Sequence, residues 1–321
     1  MKRKGMIIGG TILATIAGTY FGVGNYFYKY ALKARKEKRF LEGNPNLELS
    51  EGIDPEIEAA AVEADREFQR VVPCLSKTIQ SRDKLALKLE ADYFPNNTAK
   101  NKWAVVVHGY SSKSSEMIRW IRGFHEQGFQ VLSPNLRGHG RSEGDYIGMG
   151  WPDRLDLMTW LDALIEEHPD AEIVLFGLSM GASTVMMASG EDLPANVKVI
   201  VEDCGYSSVG KVFIHQLKDQ FGLPPFPVMN AANTVIKMRA KYDINEASAL
   251  NQVAKSKTPI LFIHGDEDSF VPFSMLDELY NAATVEKEKL IIKGAEHGDA
   301  VLVDPERYWR TIEEFVSRFI K

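Results

Sequence analysis

A chain of 321 residues with 45% hydrophobic and 26% charged side chains has the make-up of an ordinary globular enzyme, long enough for one α/β domain with an insertion. A net charge of −6 argues against a nucleic-acid-binding surface. With only Cys74 and Cys204 there is no disulfide framework and no paired-cysteine zinc motif, although a single Cys74–Cys204 bridge stays open.

Residues 1–39 read as an N-terminal membrane segment with a basic flank. Lys2, Arg3 and Lys4 precede an uncharged run from Gly5 to Tyr28. As a helix that run would reach roughly 36 Å, enough to cross a ~30 Å hydrocarbon core with some tilt. Tyr20, Tyr26, Phe27 and Tyr28 gather towards one end, as interfacial aromatics do. The run has no polar face, so an uncleaved anchor over about residues 5–28 is expected. A signal peptide cut near Gly22-Val23-Gly24, leaving a secreted protein, is the alternative. Orientation pulls two ways. Lys29, Lys33, Arg35, Lys36, Lys38 and Arg39 outnumber the basic residues before the run and favour a cytoplasmic body. A short basic start before an apolar run has the form of an export signal, and the outer face is the expectation.

Residues 40–75 read as a polar linker followed by a docking helix. Asp54 has the place of an N-cap and Pro55 that of the first turn, with Ile57, Ala61, Ala64, Phe68 and Val71 spacing an apolar stripe behind them. The main domain, residues 76–321, opens on an antiparallel hairpin, Thr78 to Ser81 and Leu85 to Tyr93, turning at Arg82-Asp83. From Trp103 on, apolar runs alternate with amphipathic stretches. Strands are expected at Trp103 to Val107, Phe129 to Ser133, Ile173 to Phe176, Val197 to Val201, Ile260 to Ile263 and Lys289 to Ile292. Helices are expected at Ser115 to Gln127, Trp151 to Glu167 and Pro305 to Ile320. That alternation gives an α/β class with a mostly parallel sheet and helices on both faces, with ligands bound at the carboxyl ends of the strands. One stretch, about residues 206–249, is too long for a strand connection and too apolar for a disordered loop, and reads as a small helical cap.

The chemistry centres on Gly177-Leu178-Ser179-Met180-Gly181, between a buried strand and an Ala/Met/Val-rich helix. A serine on a sharp strand-to-helix turn is lifted above the sheet and sits beside the first helical amides, where negative charge can be stabilised. The base is expected late in the chain, after the last strand; His297, between Gly294 and Gly298, has that place. The acid is expected after the preceding strand, and of Asp266, Glu267 and Asp268 the last is favoured, ahead of the rigid Val271-Pro272. Asp266 reads as a turn former and Asp203, ending another strand, as the rival acid. The strand ending in His108-Gly109 lets the Tyr110 N–H turn towards the serine, so the oxyanion donors are expected to be the backbone N–H groups of Tyr110 and Met180. His108, Arg137 and His139 read as structural. His125, His168 and His215 stand without clusters, so no metal site is expected.

His108-Gly109-Tyr110, Leu136 to Ser142, the Ser179 motif, His264 to Pro272 and Glu296-His297-Gly298 stand in the order found in serine hydrolases of the α/β-hydrolase fold. From about Thr78 to its end the chain resembles that family. With its apolar N-terminus and Glu202 to Tyr206 stretch it is most similar to bacterial membrane-anchored cell-surface hydrolases of the Bem46/serine aminopeptidase-like group. The resemblance implies Ser179 as nucleophile, His297 as base, Asp268 as orienting acid, a cap after the Val197 to Val201 strand, and no cofactor. It leaves the substrate open, since such folds host many activities. The expectation is an esterase for a small-molecule ester with a hydrophobic acyl or alkyl group held under Phe221, Phe226 and Met229. The alternatives are a peptidase on the same triad, with Glu202 or Asp203 binding an amine, and a membrane-tethered binding module without activity.

Overall fold

The computed structural model describes residue 15 and residues 17–321. An eight-stranded sheet runs in the order β1-β2-β4-β3-β5-β6-β7-β8. The strands are β1 Leu75–Gln80, β2 Lys88–Phe94, β3 Lys102–Val107, β4 Gln130–Pro134, β5 Glu172–Leu178, β6 Val197–Asp203, β7 Ile260–Gly265 and β8 Lys287–Ile292. Strand β2 is antiparallel to β1 and β4, and the other pairs are parallel. Alternate residues of the central strands feed two cores, one per face. Val105, Leu175, Ile200 and Phe262 pack on one side; Val106, Phe176, Val201 and Leu261 pack on the other. Strands covered on both faces must be apolar throughout, which is why these read as unbroken hydrophobic runs. Their shared direction brings the loops after β3, β5, β6, β7 and β8 out at one edge of the sheet.

Helix α1, Pro55–Val71, starts on Asp54, whose carboxylate accepts the Glu56 N–H. Its apolar stripe does less than its spacing suggests: Phe68 is buried, but Ile57 and Val71 are exposed. Asp65 completes the docking by pairing with Arg119 and Arg122 of α2, Ile118–Glu126. Helices α3, Asp153–Glu167, and α4, Met180–Ala188, follow. Between β6 and β7 lie α5, Val209–Phe221, and α6, Pro225–Arg239, the two helices over the strand ends.

The N-terminal stretch departs from the expected anchor and linker. Residues before 15, and residue 16, lie outside the described residues, so the first part of the proposed span does too. Among the described residues no helix is long and apolar enough to cross a membrane. Residues 17–27 are helical and run into a π-helical turn, Tyr28–Leu32, that belongs to the body. Gly24 lies against α6 so closely that a Cβ there would run into the Ala231 carbonyl, and Tyr20 hydrogen-bonds Thr234. Tyr28 and Leu32 are part of the main core. Leu32 O accepts the Ile147 N–H, and the Ala34 N–H reaches Asp145 O. The globular body therefore takes in residues that their apolar and basic character had assigned to a membrane and its flank.

Candidate active site

Ser179 alone makes the turn from β5 into α4, with φ 55° and ψ −112°. A left-handed φ is costly for a residue with a Cβ and persists only where packing over-determines it. Here the packing is plain. A Cβ on Gly181 would run into the Val107 carbonyl of β3, and one on Gly177 would run into the backbone of Gly181. The Ser179 N–H is tied to Asp203 O at 2.8 Å. Both glycines of the motif are thus demanded by the approach of α4 to the sheet.

Ser179 Oγ lies 2.8 Å from His297 Nε2, and His297 Nδ1 lies 2.7 Å from Asp268 Oδ2. With the carboxylate accepting from Nδ1–H, the tautomer leaves Nε2 free to accept from the serine hydroxyl. Asp268 is held in turn: Oδ1 accepts the Val271 N–H at 2.8 Å, and His264 Nε2 stands 3.2 Å from Oδ2. Burial works against the charged form of Asp268, but the two imidazoles outweigh it and hold the carboxyl well below its ordinary range. Burial likewise opposes a charged His297, while the charge and hydrogen bond of Asp268, backed by Asp203 and Asp299, raise it above an ordinary imidazole. Phe270 packs on the ring with centroids 5.0 Å apart.

The rival acid is elsewhere engaged. Asp203 accepts the Tyr308 hydroxyl at 2.7 Å, and burial pushes its carboxyl up to about 6. Glu202 is wholly buried, accepts the Gly205 N–H, and is raised further by its desolvation. Neither residue lines the cavity that opens on Ser179. Cys204 brings its sulfur within 4.8 Å of ligand atoms on Asp268 and His297. Burial raises its thiol well above the usual value, which keeps it protonated and a poor ligand. Cys74 and Cys204 are both free, Cys74 exposed and Cys204 buried, so the bridge between them is not made.

The Tyr110 and Met180 N–H groups have no protein acceptor among the described residues. The loop that carries Tyr110 is braced from below by buried side chains. His108 Nε2 accepts the Leu136 N–H, His139 Nε2 accepts the Ser111 N–H, and the two rings meet edge to face. Burial lowers them to about 3 and about 4, so both are neutral acceptors. Arg137, also buried, makes a two-pronged pair with Asp156 at 2.7 Å and a third contact with Asp83. These three residues support the site without touching Ser179.

A cavity of about 100 Å³ opens on Ser179 and runs under the cap. Phe221 and Met229 line it, as do Phe213 and Val228. Phe226 does not. It has extended backbone angles inside the first turn of α6, and this throws its side chain outward to 74% exposure. Sequence reasoning missed the opposite wall. Phe27, Tyr30 and Phe40 line the same cavity, together with Tyr110 and Phe270. Of these only Phe27 stood in the aromatic cluster that the adjoining apolar run made look interfacial.

Fold and site geometry together define an α/β-hydrolase fold. A family model described as serine aminopeptidase, S33, matches residues 99–205, which take in β3 through β6 and Ser179 but stop short of Asp268 and His297. Among curated proteins the chain is similar to the uncharacterized protein YqkD of Bacillus subtilis, 25% identical over 66% of this chain and 70% of that one. An uncharacterized membrane protein of Saccharomyces cerevisiae is 24% identical over 78% and 82%. Among solved structures the Pyrococcus furiosus esterase Pf2001 superposes with a TM-score of 0.61 at 23% identity, over 77% of this chain and 92% of that one. The Pyrococcus horikoshii acylaminoacyl peptidase gives 0.60 at 19%, over 80% of this chain and 43% of its own length.

Proposed function

We propose that the protein is a serine hydrolase for carboxylic esters with a hydrophobic acyl or alkyl group. The observation that carries this reading is the unbroken hydrogen-bond chain from Ser179 through His297 to Asp268, beside an apolar cavity. His297 takes the Ser179 proton as Oγ attacks the ester carbonyl, and the Tyr110 and Met180 N–H groups receive the oxyanion. His297 then gives the proton to the leaving alkoxide. Water, deprotonated by the same imidazole, attacks the acyl-enzyme through a second oxyanion, and Ser179 recovers its proton as the acid leaves. Asp268 holds the ring and balances its charge in each half. The hydrogen-bonded serine also speaks against a binding module that has lost its chemistry.

A peptidase would use the same steps, and the serine aminopeptidase model and the peptidase neighbour keep it as the second reading. Among the residues around the cavity the polar side chains are neutral: Ser179, Gln216, Gln220 and the hydroxyls of Tyr30, Tyr110 and Tyr206. A free amino terminus would find no counter-charge there, which favours an ester. Turnover of p-nitrophenyl alkanoates set against aminoacyl p-nitroanilides tests the choice. Faster cleavage of the anilides would overturn it.

A further inference from the structure

The segment from Phe27 to Ser50 crosses the carboxyl edge of the sheet and touches the cap and the loops that carry Tyr110, Asp268 and His297. Its π-helical turn ends in carbonyls with no intrahelical partner, and a buried ammonium answers them. Lys38 Nζ donates to the carbonyls of Tyr30, Ala31 and Lys33 at 2.9, 2.9 and 3.1 Å, which uses all three of its protons. Ala31 O also accepts the Tyr110 hydroxyl at 2.6 Å. Tyr110 is the residue whose main-chain N–H faces the proposed oxyanion, so segment and oxyanion loop share one acceptor. Tyr30 then donates to Gln220 of the cap at 2.6 Å. Further on, Asn46 bonds Asp219 of the cap and Ser269 beside Asp268. Ser50 closes the circuit: its hydroxyl donates to Asp299 and accepts the Glu296 N–H, on both sides of His297.

The aromatic side chains of the same segment form a wall. Tyr30 stacks on Phe40 with centroids 4.4 Å apart, and both Tyr30 and Phe27 meet Phe221 of the cap edge to face at 5.2 and 5.3 Å. All four line the cavity that holds Ser179. We infer that this segment determines which acyl chains the site accepts, with Phe27, Tyr30 and Phe40 as specificity-determining residues and Lys38 as the positioning residue that fixes them. The inference rests on the hydrolase reading and adds to it a source of selectivity that lies outside the α/β core and its cap.

The test uses the full chain with Tyr30→Ala, Phe40→Ala and Lys38→Met, and p-nitrophenyl esters from acetate to palmitate. Calorimetric binding of the matching free fatty acids is measured in parallel on a Ser179→Ala background. The two alanine variants open the wall, so the optimum moves to longer chains. The ratio of kcat/KM for the longer esters to that for acetate is expected to rise about tenfold. Lys38→Met raises KM for the longer esters more than for acetate, because the wall loosens while the short substrate does not reach it. Fatty-acid affinities shift in the same direction without any turnover. A length profile unmoved in both rate and binding overturns the inference, and so does a uniform loss across all lengths. Failure of the hydrolase reading is read separately, from fluorophosphonate labelling. A labelled Ser179 with an unmoved profile defeats the wall alone, and an unlabelled, folded parent chain defeats the hydrolase reading beneath it.

Discussion

At Ser179, His297 and Asp268 the geometry assigns distinct consequences to similar-looking substitutions. Asp268→Asn keeps the shape but loses the charge that orients the imidazole, and kcat is expected to fall about 10^4-fold. Asp203→Asn is expected to leave kcat within about tenfold, because that carboxyl bonds Tyr308 and not His297. Steady-state kinetics on both variants separates the two acids. The pH profile follows from His297, which must be neutral to act as base. Its folded value is raised, so the acid limb of kcat/KM should lie above the ordinary imidazole range, near 6.5. Activity falls as pH drops through that limb. In Asp268→Asn the residual activity should show the limb moved down. A limb at the same pH in both proteins would contradict the pairing. The raised value of Asp203 shows in stability and not in activity. Its folded value is raised to about 6 from 3.8, so its contribution to stability is full below pH ~3.8 and is lost as pH rises through about 6. Asp203→Asn should therefore flatten the decline in melting temperature across that window.

Among the elements, the elbow tolerates least. Gly181→Ala forces α4 away from the Val107 carbonyl, and overpacking of this kind costs about 1–3 kcal/mol or more. The expected result is a lowered melting temperature and slower phosphonate labelling of Ser179. An unchanged labelling rate would mean that the close approach is not what shapes the turn. This element was legible in the sequence because Gly-x-Ser-x-Gly is a steric demand written in residue types. The strands were legible because burial on both faces leaves continuous apolar runs, as in Val105-Val106-Val107. Asp268 and His297 could be placed because each follows a strand end. Other features left no local mark. Phe226 looked inward by composition, yet its side-chain direction depends on one pair of backbone angles. Ser50 acquires its role only through Asp299 and Glu296, far away in the chain, and Lys38 and His264 only through local turns that bring backbone carbonyls and Asp268 back to them. Tyr28 and Leu32 obey the same hydrophobic rule in a membrane as in a core, and hydropathy cannot tell the two solvents apart.

For the whole molecule, the docked N-terminus changes what an anchor can be. With the helix engaged on α6 from Tyr20 onward, the part of the uncharged run that packs on the body is not free to lie in lipid. Truncation to Asp54 should not yield a native body. It strips Tyr28 and Leu32 from the core and Ser50 from the His297 loop. The truncated chain is expected to melt well below the full one or to aggregate, and an equal melting temperature would contradict the observed docking.

The hydrolase reading stands or falls on the reactivity of one side chain. The direct measurement is to treat the full-length protein with a fluorophosphonate and map the adduct by mass spectrometry. A hydroxyl activated by His297 and Asp268 should give a single stoichiometric adduct on Ser179, absent in Ser179→Ala and strongly slowed in Asp268→Asn. A folded protein that stays unmodified, or carries the adduct on another residue, would contradict it.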